Sequence, residues 1–292
     1  MQLFLQHAIN ALSLGGVYAL IAVGFALIFN VLKFSNWSHG GVIMVSSYIG
    51  YYAVTALHLP LLPALGLSML GGGLLAVVIE KIAFRTIRIK RGPLIYFFVT
   101  SITISLLLTN LVLATVGYNF YNYPPLLKNE SFRIGGISLS MLNLTMLATS
   151  VVALLALTYF LQRTRMGIAI RAAASDLRAA SLMGVEIDRL VSITFFLSGM
   201  LAGAAGIFLG MSYTAYPQMA EVMAKGFVAA VIGGLGSIAG AVIGALLLGT
   251  IETSVTVYTN SSLAPIVSLV ILILLLIFRP RGIAGIIVPD KV

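Results

Sequence analysis

The side chains able to do chemistry are few in this sequence, and most stand alone. There are 292 residues with no cysteine, three histidines and eight acidic residues. The lack of cysteine removes thiolate metal sites, disulfides and thiol nucleophiles together. His7 and His58 have no carboxylate or second histidine at ligand spacing, so no metal site is assigned. Gly234-Leu-Gly236-Ser-Ile-Ala239 fits a dinucleotide-binding spacing, but that pattern needs a preceding strand within a βαβ unit. No GxxxxGK[ST] run occurs, so this chain lacks a P-loop of its own, and any ATP that drives it belongs to a separate chain. No paired aspartates, serine–base pair or histidine cluster points to catalysis. What remains is a set of pathway or gating candidates in apolar surroundings: the polar Asn36, His39, Asn110 and Glu252, and the glycines Gly233, Gly234 and Gly236. Beside it stands one charged stretch, residues 163–189.

The elements that position these residues follow from composition. Sixty per cent of the residues are hydrophobic and 9% are charged, against about 25% charged in a soluble domain. So few charges cannot cover an exterior facing water, and apolar runs of about 20 residues recur. The sequence predicts one all-α, polytopic membrane domain over residues 1–292. The net charge of +9 lies between the apolar runs and lacks interleaved aromatics, which excludes a nucleic-acid surface. With Lys33 as the first basic residue, the opening apolar run is read as a membrane helix rather than a cleaved leader.

Seven apolar segments are expected: Leu3 to Phe29, His39 to Leu57, Leu59 to Glu80, Leu94 to Val116, Leu139 to Leu161, Leu190 to Ser212 and Leu263 to Phe278. An eighth region, Gly226 to Thr253, is too long for one crossing and is dense in glycine. A break at Gly233-Gly234-Leu235-Gly236-Ser237 would give a short helix or re-entrant segment near 226–237, then a fuller helix. The total is about eight membrane helices plus that short segment. Irregular backbone at membrane depth needs shielding by protein or a water-filled path, which draws the break toward such a path.

Basic connections set orientation. Lys81 to Arg91 and Gln162 to Arg189 carry the densest positive charge and are expected in the cytosol, as are Lys33, Arg279, Arg281 and Lys291. The connection Gly117 to Ser138, with only Lys128 and Arg133, and the N-terminus then face outward. Glu252 is the one carboxylate expected within a spanning region, near its end. Asn110, with Thr103 and Thr109 on its helix, reads as an interhelical hydrogen-bond partner, as do Asn10 and Ser13. His39 opens a helix that Asn36 or Ser38 would cap. Gly199, Gly203 and Gly206 suit close helix contact.

Within 163–189, Ile170, Ala173, Ala174, Leu177 and Ala180 recur at helical spacing, while Arg171, Ser175 and Arg178 form a polar face. This stretch is too charged to span a membrane. It fits a short cytosolic surface helix, either docked into a partner's groove or lying on headgroups.

The run RMGIAIRAAASDLRAASLMGVEIDRLVSITFFLSGMLAGAAGIFLG resembles permease subunits of the branched-chain amino acid ABC importer family. So do GGVYALIAVGFALIFNVLKFSNWSHGG, KGFVAAVIGGLGSIAGAVIGALLLGTIE and the segment ending FRPRGIAG, in that order. The resemblance covers most of the chain outside residues 117–138. Asn36, His39 and Gly40 match the family's Asn-x-x-His-Gly arrangement, which implies a gating role at that turn. ABC permeases at large carry Glu-Ala-Ala, three residues, then Gly; here Ala179, Ala180 and Gly184 keep the spacing, but Arg178 replaces the acid. That departure, with the missing later Ile-x-Leu-Pro element, argues against the sugar and small-amino-acid permeases that carry the full motif.

The resemblance implies a coupling helix in which Arg171, Ser175, Asp176, Arg178, Ala179, Ala180 and Gly184 meet an ATPase. It implies two cytosolic ATP-binding subunits, a second related permease, an extracytoplasmic binding protein, and the bacterial plasma (inner) membrane as location. The implied substrates are branched-chain or other hydrophobic amino acids, with urea, short amides or other small solutes as alternatives. A secondary carrier or channel is disfavoured by the scarcity of charge within the apolar runs.

Overall fold

The computed structural model describes residues 2–126, 131–134, 137–279 and 282–284; Lys128, Arg281 and Lys291 lie outside them. α1 (Gln2–Leu32), α2 (Ser38–Thr55) and α3 (Leu61–Ile79) follow one another through short connections. α3 continues through one π turn, Glu80–Phe84, into α4 (Arg85–Ile89), making a single rod from Leu61 to Ile89. α5 (Leu94–Val116) leads to a long connection that holds a short antiparallel hairpin, β1 (Ser131–Ile134) on β2 (Ile137–Ser140). Then come α6 (Met141–Arg163), α7 (Arg165–Ser175), α8 (Leu177–Leu182) and α9 (Ile187–Ser212). A 3-10 turn, Pro217–Val222, enters α10 (Met223–Gly233), followed by α11 (Ile238–Tyr258) and α12 (Ala264–Phe278).

Among the described residues, six helical stretches are long and apolar enough to cross a membrane. They are Leu5–Leu32, Leu61–Ile89, Leu94–Val116, Met141–Arg163, Ile187–Ser212 and Ile238–Tyr258. Prolines start several of them: Pro60 and Pro93 directly precede α3 and α5, where a missing N–H costs nothing. Gly117, at φ 84°, ends α5 in a backbone conformation that a side chain would strain.

The bundle is built inside out relative to a soluble protein. Leu106 and Leu107 of α5, Val152 and Leu155 of α6 and Ile277 of α12 face outward, while α1 and α9 form the buried centre. An apolar exterior of this extent suits lipid and not water. Helices in lipid associate through close packing, so the centre is lined with small residues. Gly199, Gly203 and Gly206 hold α9 against α3 and α2 as expected: a Cβ on Gly203 would lie 2.6 Å from Met69 Cα.

Both ends of the bundle have clear markers. At one end, Phe34 lies 5.3 Å from Phe84 and 5.0 Å from Phe97. Arg85 and Arg88 there reach Asp188, which joins the two strongly basic connections. At the other end, Tyr121 and Ala215 exchange backbone hydrogen bonds of 2.9 and 3.0 Å. The Tyr123 hydroxyl donates to Ser47 O at 2.5 Å beside them; burial raises that phenol above its ordinary value and keeps it a donor.

Candidate functional site

Residues 163–189 form two helices where one was expected. Asp176 is the reason. Its Oδ1 accepts from Arg178 N at 2.9 Å and Ala179 N at 3.0 Å, so it stops α7 and caps α8. Thr164 caps α7 in the same way, accepting from Gly167 N at 3.0 Å. The stripe read from the sequence does face inward: Ile170, Ala173 and Ala180 are buried, and Ala174 and Leu177 are half-buried. α7 packs on α1, α6 and α9 through it. The opposite side exposes Arg171, Ser175, Arg178 and Ala179, and beyond them Leu182 and Met183, at 88% and 85% exposure. Ala180 therefore serves this chain's own packing and is not part of the outward face. Gly184 has a local duty: at φ 86° it closes α8, with Val185 N reaching Ala180 O at 3.1 Å.

An ionic clamp holds this segment to the rest of the bundle. Arg88 Nη2 lies 2.8 Å from both Glu80 Oε1 and Asp188 Oδ1, and Arg85 Nη2 lies 2.8 Å from Asp188 Oδ2. Ser192 Oγ donates to the second Glu80 oxygen at 2.8 Å. Glu80 continues the buried stripe of α3 after Ser68, Gly72 and Ala76, and the wider turn that starts there changes the phase of the following Arg85 and Arg88 relative to that stripe. Sequence reading placed Glu80 only as a segment end and singled out neither Arg88 nor Asp188 as its partners. The signal available was an acid at the end of an apolar run, followed by several basic residues.

The glycine break falls where expected, between α10 and α11, with Gly234 at φ 107° and Gly236 at φ 100°. Gly236 sits against Asn30 near the end of α1, and the tail returns to meet it: Ile283 N and Ala284 N donate to Ile232 O and Gly233 O, both at 2.9 Å. Those carbonyls end α10 and lack helical partners, so the tail caps them. The break thus belongs to the basic end of the bundle rather than to its middle. Gly233 and Gly240 touch backbone to backbone across the hairpin of helices, and Gly249 meets Gly15, where a Cβ would lie 2.5 Å from Gly15 Cα. Among the described residues the two strands belong to the hairpin far from Gly234, so a βαβ nucleotide site is absent there.

Half-way along α1, a second charged group appears. Lys225 Nζ donates to Glu252 Oε1 and, at 2.9 Å, to the Tyr18 hydroxyl, with the ammonium 5.3 Å from the Tyr18 ring centre. Glu252 is thus not the single charge within the apolar core; Lys225 and Glu80 join it. Lys225 directly precedes the glycine-rich region 226–253, and nothing in the local pattern sets it apart from a lysine at a segment end.

His39 is buried against Gly24 and Ser198. Ser198 Oγ donates to Gly24 O at 2.8 Å, so at 3.2 Å it accepts from His39 Nδ1 in the tautomer that satisfies both. Asn36 Oδ1 accepts from Ser38 Oγ at 2.6 Å and Ser38 N at 3.2 Å, making the turn that leads into α2. Asn10 accepts from Asn143 Nδ2 at 2.7 Å, the interhelical contact expected. Asn110 departs from its expectation: it is exposed and donates to Leu106 O on its own helix at 2.8 Å. Thr103 and Thr109 also bond within their helix. No group of three or more metal-ligating side chains occurs among the described residues.

A bundle of apolar helices with a charged, two-helix surface segment at its basic end defines a multi-pass membrane protein. The family described as branched-chain amino acid transport system / permease component matches residues 7–278, and the chain belongs to it. It is 34% identical to the high-affinity branched-chain amino acid transport system permease protein LivH of Salmonella typhimurium, over 97% of this chain and 96% of that one. The LivH of Escherichia coli K12 gives the same identity and coverage. BraD of Pseudomonas aeruginosa, with the same description, is 32% identical over 97% and 96%. No solved structure matches the chain. The protein is a multi-pass transport permease of the bacterial inner membrane.

Proposed function

We propose that the chain is one transmembrane half of an ATP-binding-cassette importer for branched-chain amino acids. Two cytosolic ATPases would bind and hydrolyse ATP, a second related permease would complete the path, and an extracytoplasmic binding protein would deliver cargo. This chain has no ATPase site of its own. α2 and α12 join the six longer helices to make eight spans, and α10 with its 3-10 lead supplies a short ninth stretch. That arrangement puts the N-terminus outside and Lys33, Lys81–Arg91, 163–189 and Arg279 in the cytosol, in keeping with the positive-inside rule.

The observation that carries the reading is the α7–α8 segment. It stands at the basic end, caps both of its helices with its own side chains, and turns Arg171, Ser175, Arg178, Leu182 and Met183 outward. Exposed apolar residues beside arginines suit a protein groove better than water. α7 packs on α1, α6 and α9, and the clamp through Asp188, Arg88 and Glu80 ties the start of α9 to the α3–α4 rod, so a push on that segment would reach α3 through α9. Alternating access then follows as a shift between two packings of the bundle, driven by the partners' ATP cycle.

The test is ATP-dependent uptake by the co-expressed complex, screened across amino acids, urea and short amides. Leucine, isoleucine or valine are expected as cargo. Arg178→Glu should abolish uptake while leaving membrane insertion intact, because Arg178 is exposed and its side chain holds no part of the fold. Gly184→Trp should also abolish uptake, with added strain at a positive φ. Normal transport by both variants would end the coupling assignment, and uptake by this chain alone would favour a carrier.

A further inference from the structure

The Lys225–Glu252–Tyr18 group is built differently from a structural ion pair. Lys225 stands in the first turn of α10, the short interrupted helix, and Glu252 in α11. Tyr18 lies near the midpoint of α1, so the group sits deep in the bundle and far from both basic connections. Glycines fix its position: Gly226, next to Lys225, packs directly on Ile21 of α1, and Phe227 meets Phe25 edge-on at 5.7 Å. The backbone at Lys225 is thereby held against α1, while its partly exposed side chain keeps freedom to move.

Its hydrogen bonding is incomplete in a complementary way. Glu252 is 7% exposed, and its Oε2 is buried with no partner among the described residues. Lys225 has three N–H donors and uses two, while its side chain stays 31% exposed. An unused carboxylate oxygen therefore sits beside an unused ammonium hydrogen. Burying such groups unpaired in a membrane protein is costly and marks a ligand path by default. Interrupted helices hold cargo near the bilayer midplane in other transporters as well.

We propose that Lys225, Glu252 and Tyr18 form the point where the cargo's charged backbone is held during passage, with the α-carboxylate on Lys225 and the α-ammonium on Glu252. Without cargo the two side chains neutralise each other, so the empty path carries no net charge there. With cargo, each takes the opposite charge of the zwitterion, and the pair opens without leaving either charge bare. Recognition at this point reads what all amino acids share, leaving discrimination among apolar side chains to other contacts. This inference rests on the amino-acid importer reading above.

The experiment uses the full co-expressed complex in proteoliposomes with its binding protein, with radiolabelled leucine as the probe. Wild type must first show ATP-dependent leucine uptake; if it does not, the importer reading fails, and this inference with it. Glu252→Gln and Lys225→Met are then each expected to lower uptake by about tenfold to a hundredfold, the loss of one charged hydrogen bond to a ligand. Co-purification of the ATPase subunits reports assembly. The exchange Lys225→Glu with Glu252→Lys keeps the ion pair but reverses its direction. Uptake that stays low in an assembled exchange variant supports the proposal. Wild-type uptake with undiminished uptake in both single variants, or full uptake restored by the exchange, would show that the pair only holds the helices together.

Discussion

Two buried carboxylates, Glu80 and Glu252, face arginine or lysine within the same bundle, yet they are finished differently. Glu80 meets a partner at each oxygen, an ion pair with Arg88 at Oε1 and a hydrogen bond from Ser192 at the other. Its arginine reaches on to Asp188, although Glu80 Oε1 and Arg88 Nε and Nη1 lack a hydrogen bond among the described residues. Glu252 commits one oxygen to Lys225 and leaves the other without a partner among the described residues. The partners differ in kind as well. Arginine's planar fork bridges two acids at fixed geometry, whereas the lysine ammonium is a point charge on a flexible stem. The first arrangement ties α9 to the rod of α3 and α4 through two acids, whereas in the second one carboxylate oxygen has neither an ion-pair nor a hydrogen-bond partner among the described residues.

The sharpest way to break this comparison is Arg88→Ala. It leaves Glu80 buried and charged without its partner, and the expected loss is about 3–5 kcal/mol of stability. Thermal unfolding of the purified protein checks it, with Trp37, the single tryptophan, as the fluorescence reporter. Glu252→Gln should cost less, about 1–2 kcal/mol, because only one charged hydrogen bond is lost and Lys225 keeps Tyr18 and partial exposure. Equal losses in the two variants would erase the distinction between the two arrangements. Asp188→Asn comes last, at about 0–1 kcal/mol by the same measurement, since both Asp188 and Arg85 lie partly open to solvent.

Much of this was legible in the sequence, for physical reasons specific to each element. The break after Gly233 was readable because only glycine tolerates the φ values found at Gly234 and Gly236. The inward face of α7 and α8 was readable from Ile170, Ala173 and Ala180, because helical periodicity fixes which residues share a side. The clamp was hidden because the π turn after Glu80 re-phases Arg85 and Arg88, which a 3.6-residue period cannot show, and because Asp188 is about 100 residues away in the sequence. Lys225 and Glu252 are 27 residues apart and meet only because α10 and α11 fold back on each other. The place of the break along the bundle was not legible, because the protein that shields its irregular backbone is the returning tail at Ile283 and Ala284, distant in sequence.

The central claim is that the exposed face of α7 and α8 is where cytosolic ATPases grip this permease. A cysteine introduced at Ser175, in a chain with no other cysteine, tests it most directly through labelling with a membrane-impermeant maleimide. The account predicts labelling from the cytosolic side only, and protection when the ATPase subunits are co-assembled. Labelling from the opposite side, or equal labelling with and without those subunits, would contradict it.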